Sequence, residues 1–139
     1  MNITGQCHCG AIRFTAIANP EKVFACHCAD CQIISGGPFR AVLPVPAEQV
    51  ELQGSPKRYV KVAASGNRRV QAFCGDCGTQ LFATEADDAK ILNIRLGCVN
   101  ERAQLKPQVQ VWHDSAMPWL RDLNGTPAHT RGRDSPLTS

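Results

Sequence analysis

The sequence predicts a mainly β protein, two small sheets with short helical turns. Three observations carry this: segments alternate apolar and polar residues with period two, turn-forming residues separate them, and no helical stripe of ten or more residues occurs. Period-two alternation sends one side of each segment into a shared interior and leaves the other wet.

In chain order, the first strand side is Ile12, Phe14 and Ala16, followed by a turn at Asn19-Pro20. Cys28 to Ile34 lacks turn formers and is expected to make one helical turn. Gly36-Gly37-Pro38 then stops it, and Phe39, Ala41, Leu43 and Val45 form the next strand side. Val50 and Leu52, Val60 and Val62, and Val70 and Ala72 follow, with turns at Gly54-Ser55-Pro56 and Ser65-Gly66-Asn67 between them. Glu85 to Lys90 reads as a second helical turn, and Leu92, Ile94 and Leu96, then Val109 and Val111, read as the last strands.

Apolar periodicity stops near residue 123, so one domain over residues 1–123 is expected, with residues 124–139 a flexible tail holding little to bury. A chain of 139 residues, 43% hydrophobic and 19% charged, fits one globular core that would gain from a metal staple. The opening Met1 to Cys7 shows no basic segment followed by an apolar run, and no stretch has the length and apolarity of a membrane span. A cytoplasmic protein without membrane association is expected, and thiols in that compartment stay reduced.

Seven of the eight cysteines fall in three tight groups: Cys7-His8-Cys9-Gly10, Cys26-His27-Cys28-Ala29-Asp30-Cys31 and Cys74-Gly75-Asp76-Cys77-Gly78. A CxxC turn converges two sulfurs on one tetrahedral ion, and a glycine after the second cysteine relieves crowding where amides approach the thiolates. A closed site needs four ligands, so Cys74 and Cys77 are expected to join Cys7 and Cys9. Cys26, Cys28 and Cys31 remain, three ligands with no evident fourth, which suits an open zinc site receptive to a soft incoming thiolate. The competing readings are two disulfides among Cys7, Cys9, Cys74 and Cys77, and a purely structural second zinc closed by a histidine or carboxylate. The formal charge of +3 falls to about zero once seven thiolates and two zinc ions are counted, so a nucleic-acid partner is not expected.

Smaller features have plainer readings. His8 and His27 stand between cysteines as spacers, Cys98 reads as a small buried hydrophobe, and His113 as a structural histidine at a strand end. Asp30 and Asp76 are expected to cap amides inside the CxxC turns, and Trp119 of Pro118-Trp119-Leu120 to pack over the sheet. Arg68 or Arg95 is a candidate to meet a substrate carboxylate.

The order CxC-G, CHCxxC, CxxC-G resembles the glutathione-dependent formaldehyde-activating enzyme family, which includes centromere protein V. The likeness runs from Gly5-Gln6-Cys7-His8-Cys9-Gly10 through the two CxxC groups to Pro118-Trp119-Leu120. It implies a largely β fold, one zinc on Cys7, Cys9, Cys74 and Cys77, and a second on Cys26, Cys28 and Cys31. It also implies a carbon–sulfur lyase in which a glutathione thiolate adds to formaldehyde to give S-hydroxymethylglutathione. A related thiol adduct, or another small thiol as partner, fits the same chemistry, and a non-catalytic zinc-stapled binding module is the competing class.

Overall fold

The computed structural model describes residues 1–138. Among the described residues ten strands form, β1 (Asn2–Gln6), β2 (Arg13–Ile17), β3 (Phe24–Cys26), β4 (Arg40–Pro46), β5 (Val50–Gln53), β6 (Lys57–Val62), β7 (Arg68–Phe73), β8 (Gln80–Glu85), β9 (Ile91–Arg95) and β10 (Val109–Val111), with one α-helix, α1 (Ala29–Ser35). They make two sheets: a three-stranded one in the order β1-β2-β5, and a seven-stranded one in the order β10-β3-β4-β9-β8-β7-β6. Both are antiparallel except at one edge, where β10 runs parallel to β3. The mainly β, two-sheet expectation is met.

The core lies between the sheets. Alternation along β1 and β2 turns Ile3, Phe14 and Ala16 inward from the small sheet, against Leu43, Val45 and Ile94 of the large one. Each such Ile, Leu, Val or Phe side chain, withdrawn fully from water, contributes on the order of 1.5–3 kcal/mol. Cys7 and Cys74 belong to the same cluster, so the first cysteine group is sewn into the core rather than hung on its surface.

Three strands escaped the sequence reading, each for its own reason. β1 has a single large apolar residue, Ile3, and therefore no visible alternation. β3 is three residues long. β8 lies inside the large sheet with Leu81, Phe82, Ala83 and Thr84 all buried, so its two faces look alike and the period-two signal is erased.

The expected helical turn at Cys28 to Ile34 forms as α1, ended by Gly36 in the left-handed conformation at φ 70°. The one at Glu85 to Lys90 does not form; Glu85 ends β8, and residues 86–90 are the turn into β9. There the Lys90 amide and the Thr84 hydroxyl donate to the Glu85 carboxylate, at 3.2 and 3.1 Å, and Asp88 adopts φ 51°. Side-chain acceptance and a left-handed residue give that backbone a turn in place of a helix.

Beyond Val111, the chain continues through a 3₁₀ segment, Pro118–Gly125, and a bridge between His129 and Leu137. Trp119 is 48% exposed and outside the core cluster, which corrects the expectation that it covers the sheet. No helix among the described residues is long and apolar enough to cross a membrane.

Candidate metal centres

Two loops bring the first cysteine group together. One leaves β1 and carries Cys7 and Cys9; the other joins β7 to β8 and carries Cys74 and Cys77. Each is a knuckle closed by its own backbone: the Gly10 amide donates to the Cys7 carbonyl at 3.1 Å, and the Gly78 amide to the Cys74 carbonyl at 2.9 Å. Gly10 and Gly78 sit at φ 81° and 79°, the left-handed region that a side chain would strain. Their place after the second cysteine is therefore a backbone requirement.

The four sulfurs lie within 4.8 Å of one another. Cys7 Sγ is 3.6 Å from Cys9 Sγ, and Cys9 Sγ is 3.8 Å from Cys74 Sγ. Sulfurs bound at about 2.3 Å to one tetrahedral ion would stand about 3.8 Å apart. All four thiols are free, which sets the two-disulfide reading aside, and the group can hold a metal ion.

Polar donors surround these sulfurs. The Ile12 amide donates to Cys7 Sγ at 3.2 Å, and the Thr79 hydroxyl lies 3.2 Å from Cys77 Sγ. The Thr79 hydroxyl and amide, with the Cys9 amide, hold the Cys77 thiol down at about 5. Burial works against ionisation of Cys7, but the Ile12 amide and the Cys9 and Cys74 thiols outweigh it and lower its pKa. Cys9 goes the other way, to about 12: the Ala11 amide favours its thiolate, but the neighbouring thiols, Cys7 foremost, oppose a further negative charge. Crowded thiols that cannot all ionise alone suit a cation that would share their charge.

The second group sits where β3 ends and α1 begins. Cys26 is the last residue of β3, Cys28 caps α1 by accepting the Cys31 amide on its sulfur at 3.3 Å, and Cys31 lies in the first turn. Their sulfurs also fall within 4.8 Å of one another, and no fourth histidine, cysteine or carboxylate joins them among the described residues. Cys26 and Cys31 are buried and Cys28 partly open. Burial pushes the Cys26 thiol up to about 12, with the adjacent thiols adding to it. For Cys28, burial is outweighed by the Cys31 amide, by the Cys31 and Cys26 thiols and by Lys61, so its pKa falls. This group too can hold a metal ion.

Positive charge gathers behind it. Arg40, directly across the β3–β4 ladder from Cys26, donates from Nη2 to Cys31 Sγ at 3.1 Å. Its Nη1 donates to the Gln71 carboxamide oxygen at 3.2 Å, and Arg95 Nη2 donates to that same oxygen at 2.8 Å. Arg95, one of the two arginines singled out in the sequence, thus lies near this cluster, whereas Arg68 is on the surface beside Asp87. Arg40 and Gln71 went unnoticed in the sequence, where nothing distinguishes a buried arginine from an exposed one.

The histidines and aspartates differ in fate. His8 is exposed, and its amide donates to the Thr79 hydroxyl at 3.0 Å. His27 is buried, with Nε2 2.7 Å from the Gln110 carboxamide oxygen and its ring 5.6 Å from that of His113. Both rings line a cavity of about 410 Å³, walled also by Met117, Pro118, Leu120 and Arg121; no cysteine lines it. His27 and His113 belong to neither sulfur group. Asp30 pairs with Lys61 rather than capping an amide, and Asp76 is exposed. Cys98 is buried, as expected, and its thiol donates to the Arg95 carbonyl at 3.0 Å.

A β domain of two sheets carrying one four-sulfur and one three-sulfur cluster is the class of protein that fold and site define. Residues 2–115 match the glutathione-dependent formaldehyde-activating enzyme family, and the chain belongs to it. It is 33% identical over 78 residues to an uncharacterized lyase of Schizosaccharomyces pombe, covering 56% of this chain and 54% of that protein, so it spans about half the length of this curated relative. The crystal structure of a Rhodobacter sphaeroides protein shares the fold, with a TM-score of 0.58 at 15% identity, covering 78% of this chain and 99% of the other.

Proposed function

We propose that the protein is a zinc-dependent carbon–sulfur lyase acting on glutathione-type thiol adducts. Cys7, Cys9, Cys74 and Cys77 would close a structural zinc site, and Cys26, Cys28 and Cys31 would hold a second zinc with one position free. The observation that carries this reading is the three-sulfur group itself, three converging ligands with no fourth side chain among the described residues. Family membership and the lyase name of the yeast relative support a glutathione-related lyase.

Zinc at the second group would supply a Lewis acid that favours the thiolate form of a bound thiol. The chain's own residues do the rest. The three cysteines fix the place where sulfur arrives, and Arg40 holds the Cys31 side of that place through its 3.1 Å contact. In the reaction, the thiol sulfur adds to the carbonyl carbon of formaldehyde, the carbonyl π pair moves to oxygen, and the thiol proton ends on that oxygen. The product is S-hydroxymethylglutathione, and the reverse sequence breaks the same C–S bond. Orientation of two small reactants is the main advantage such a site offers over solution.

The test is metal content followed by ligand exchange. Two zinc ions per full-length chain are expected, and in the cobalt-substituted protein glutathione should shift the thiolate charge-transfer bands of one site to saturation. One metal per chain, or two metals with spectra indifferent to glutathione, would move the assignment to a closed, non-catalytic zinc module.

A further inference from the structure

Arg40 and Arg95 present an electrostatic anomaly. Each is 7% exposed, they share one neutral acceptor on Gln71, and the Nε atom of each is buried with no partner. No carboxylate pairs with either among the described residues, while the neighbouring cations Lys61 and Arg69 are paired with Asp30 and Glu85. Two buried like charges without a counter-ion are costly, and such charges are ordinarily paired. Burial pulls the Arg95 pKa down to about 10, with Arg40 pushing the same way.

The acidic groups beside them are the sulfurs of the second cysteine group: Cys31 Sγ lies 3.1 Å from Arg40 Nη2, and Cys31 and Cys26 both favour the charged form of Arg95. A divalent ion on three thiolates would retain one negative charge, and two guanidiniums bring two positive ones. One positive charge is left over, the amount that a single incoming thiolate neutralises. A water molecule brings no such charge. Arg40 also places an N–H on Cys31 Sγ at 3.1 Å, which withdraws electron density from that ligand and leaves a metal at the site more receptive to another donor.

Resting on the thiol-binding reading above, we propose that Arg40 and Arg95, bridged by Gln71, are positioning residues that make the free position of the Cys26, Cys28 and Cys31 site select an anionic sulfur ligand over a neutral one.

The test uses the cobalt-loaded full chain and two small probes that differ in charge at the donor atom: 2-mercaptoethanol, bound as a thiolate, and imidazole, bound neutral. Removing charge by Arg95→Gln should weaken 2-mercaptoethanol binding about tenfold or more and leave imidazole binding within about threefold, with Arg95→Lys restoring the thiol. Gln71→Glu provides a near-isosteric variant that neutralises the excess charge with both arginines in place, and should show the same selective loss. Arg40→Lys, which breaks the fork on Cys31 and Gln71 but keeps the charge, should shift the sulfur-to-cobalt band to lower energy with modest change in thiol affinity. Equal losses for both probes, or no loss in Gln71→Glu, would overturn the proposal while leaving an open thiol site standing. A wild-type site that takes imidazole but no thiol, or neither probe, would remove the thiol-binding reading and this inference with it.

Discussion

Cys9 and Cys74 bring their sulfurs to 3.8 Å although 65 residues separate them in the chain. Cys9 belongs to the loop between β1 and β2 of the small sheet, and Cys74 follows β7 of the large one. The contact closes a long loop, and an ion joining the two sides would convert binding energy directly into folding energy.

Metal removal should therefore unsettle the whole domain. Chelation of the purified protein, or Cys74→Ser, is expected to lower the melting temperature by about 10 °C or more, given the size of structural zinc affinities. Thermal denaturation with and without chelator checks it, and a melting temperature unchanged by complete metal loss would refute the staple.

The second group should be separable from the first. Cys26, Cys28 and Cys31 lie at the end of β3 and the start of α1, near one edge of the large sheet, and the core cluster takes in Cys7 and Cys74 but none of these three. Cys28→Ser is expected to cost one metal per chain and the glutathione response while keeping the far-ultraviolet circular dichroism and most of the thermal stability. Loss of both metals together would show the two centres to be one cooperative unit.

Gly5 is a point of close approach. A Cβ built there would stand 2.1 Å from Cζ of Phe14 and 2.5 Å from the Cys98 carbonyl oxygen. Neither can retreat cheaply, since Phe14 is core and the oxygen is backbone. Gly5→Ala should destabilise the fold by about 2–4 kcal/mol, read by denaturant unfolding.

Glu101 supplies an acid-sensitive clasp. Both its carboxylate oxygens accept the Thr4 amide at 3.0 Å, and one accepts the Thr4 hydroxyl at 2.9 Å. Burial opposes its ionisation, but the Thr4 amide and hydroxyl outweigh it, so its pKa lies below the usual 4.5. A carboxyl lowered by folding contributes stability above its unfolded pKa, and that contribution fades as pH drops through the folded value. The wild type should be more stable than Glu101→Gln at neutral pH, and the gap should close below about pH 4.5. Melting curves of both proteins across pH 2–7 decide it, and a constant gap would rule the clasp out.

Much of this was legible in the residues. Alternation is readable where one face is wet, as at Phe14 and Ala16 of β2, and unreadable in β8, where both faces are buried. The cysteine groups could be found because ligands sharing an ion must be close, and short loops make spatial closeness a matter of sequence spacing. Their long-range neighbours could not: Arg40, Gln71 and Arg95 come from β4, β7 and β9, and only the order of strands in the large sheet brings them together. The turn at Glu85 to Lys90 misled because acidic residues without Gly or Pro look helical until Asp88 is seen in the left-handed region.

The pairing of Cys26 with Arg40 also bears on how this chain can change over generations. Between them the Cys26-to-Cys31 part is held by ligand spacing, but residues 36–39 after α1 are only partly buried, so a residue gained or lost there is absorbed locally. An insertion within β4 just after Arg40 is another matter: it would turn the rest of the strand over and carry Val42, Leu43 and Val45 away from the sides they now occupy. Descendants should therefore vary in loop length between α1 and β4 while the spacing of the cysteines and the count of residues inside β4 stay fixed.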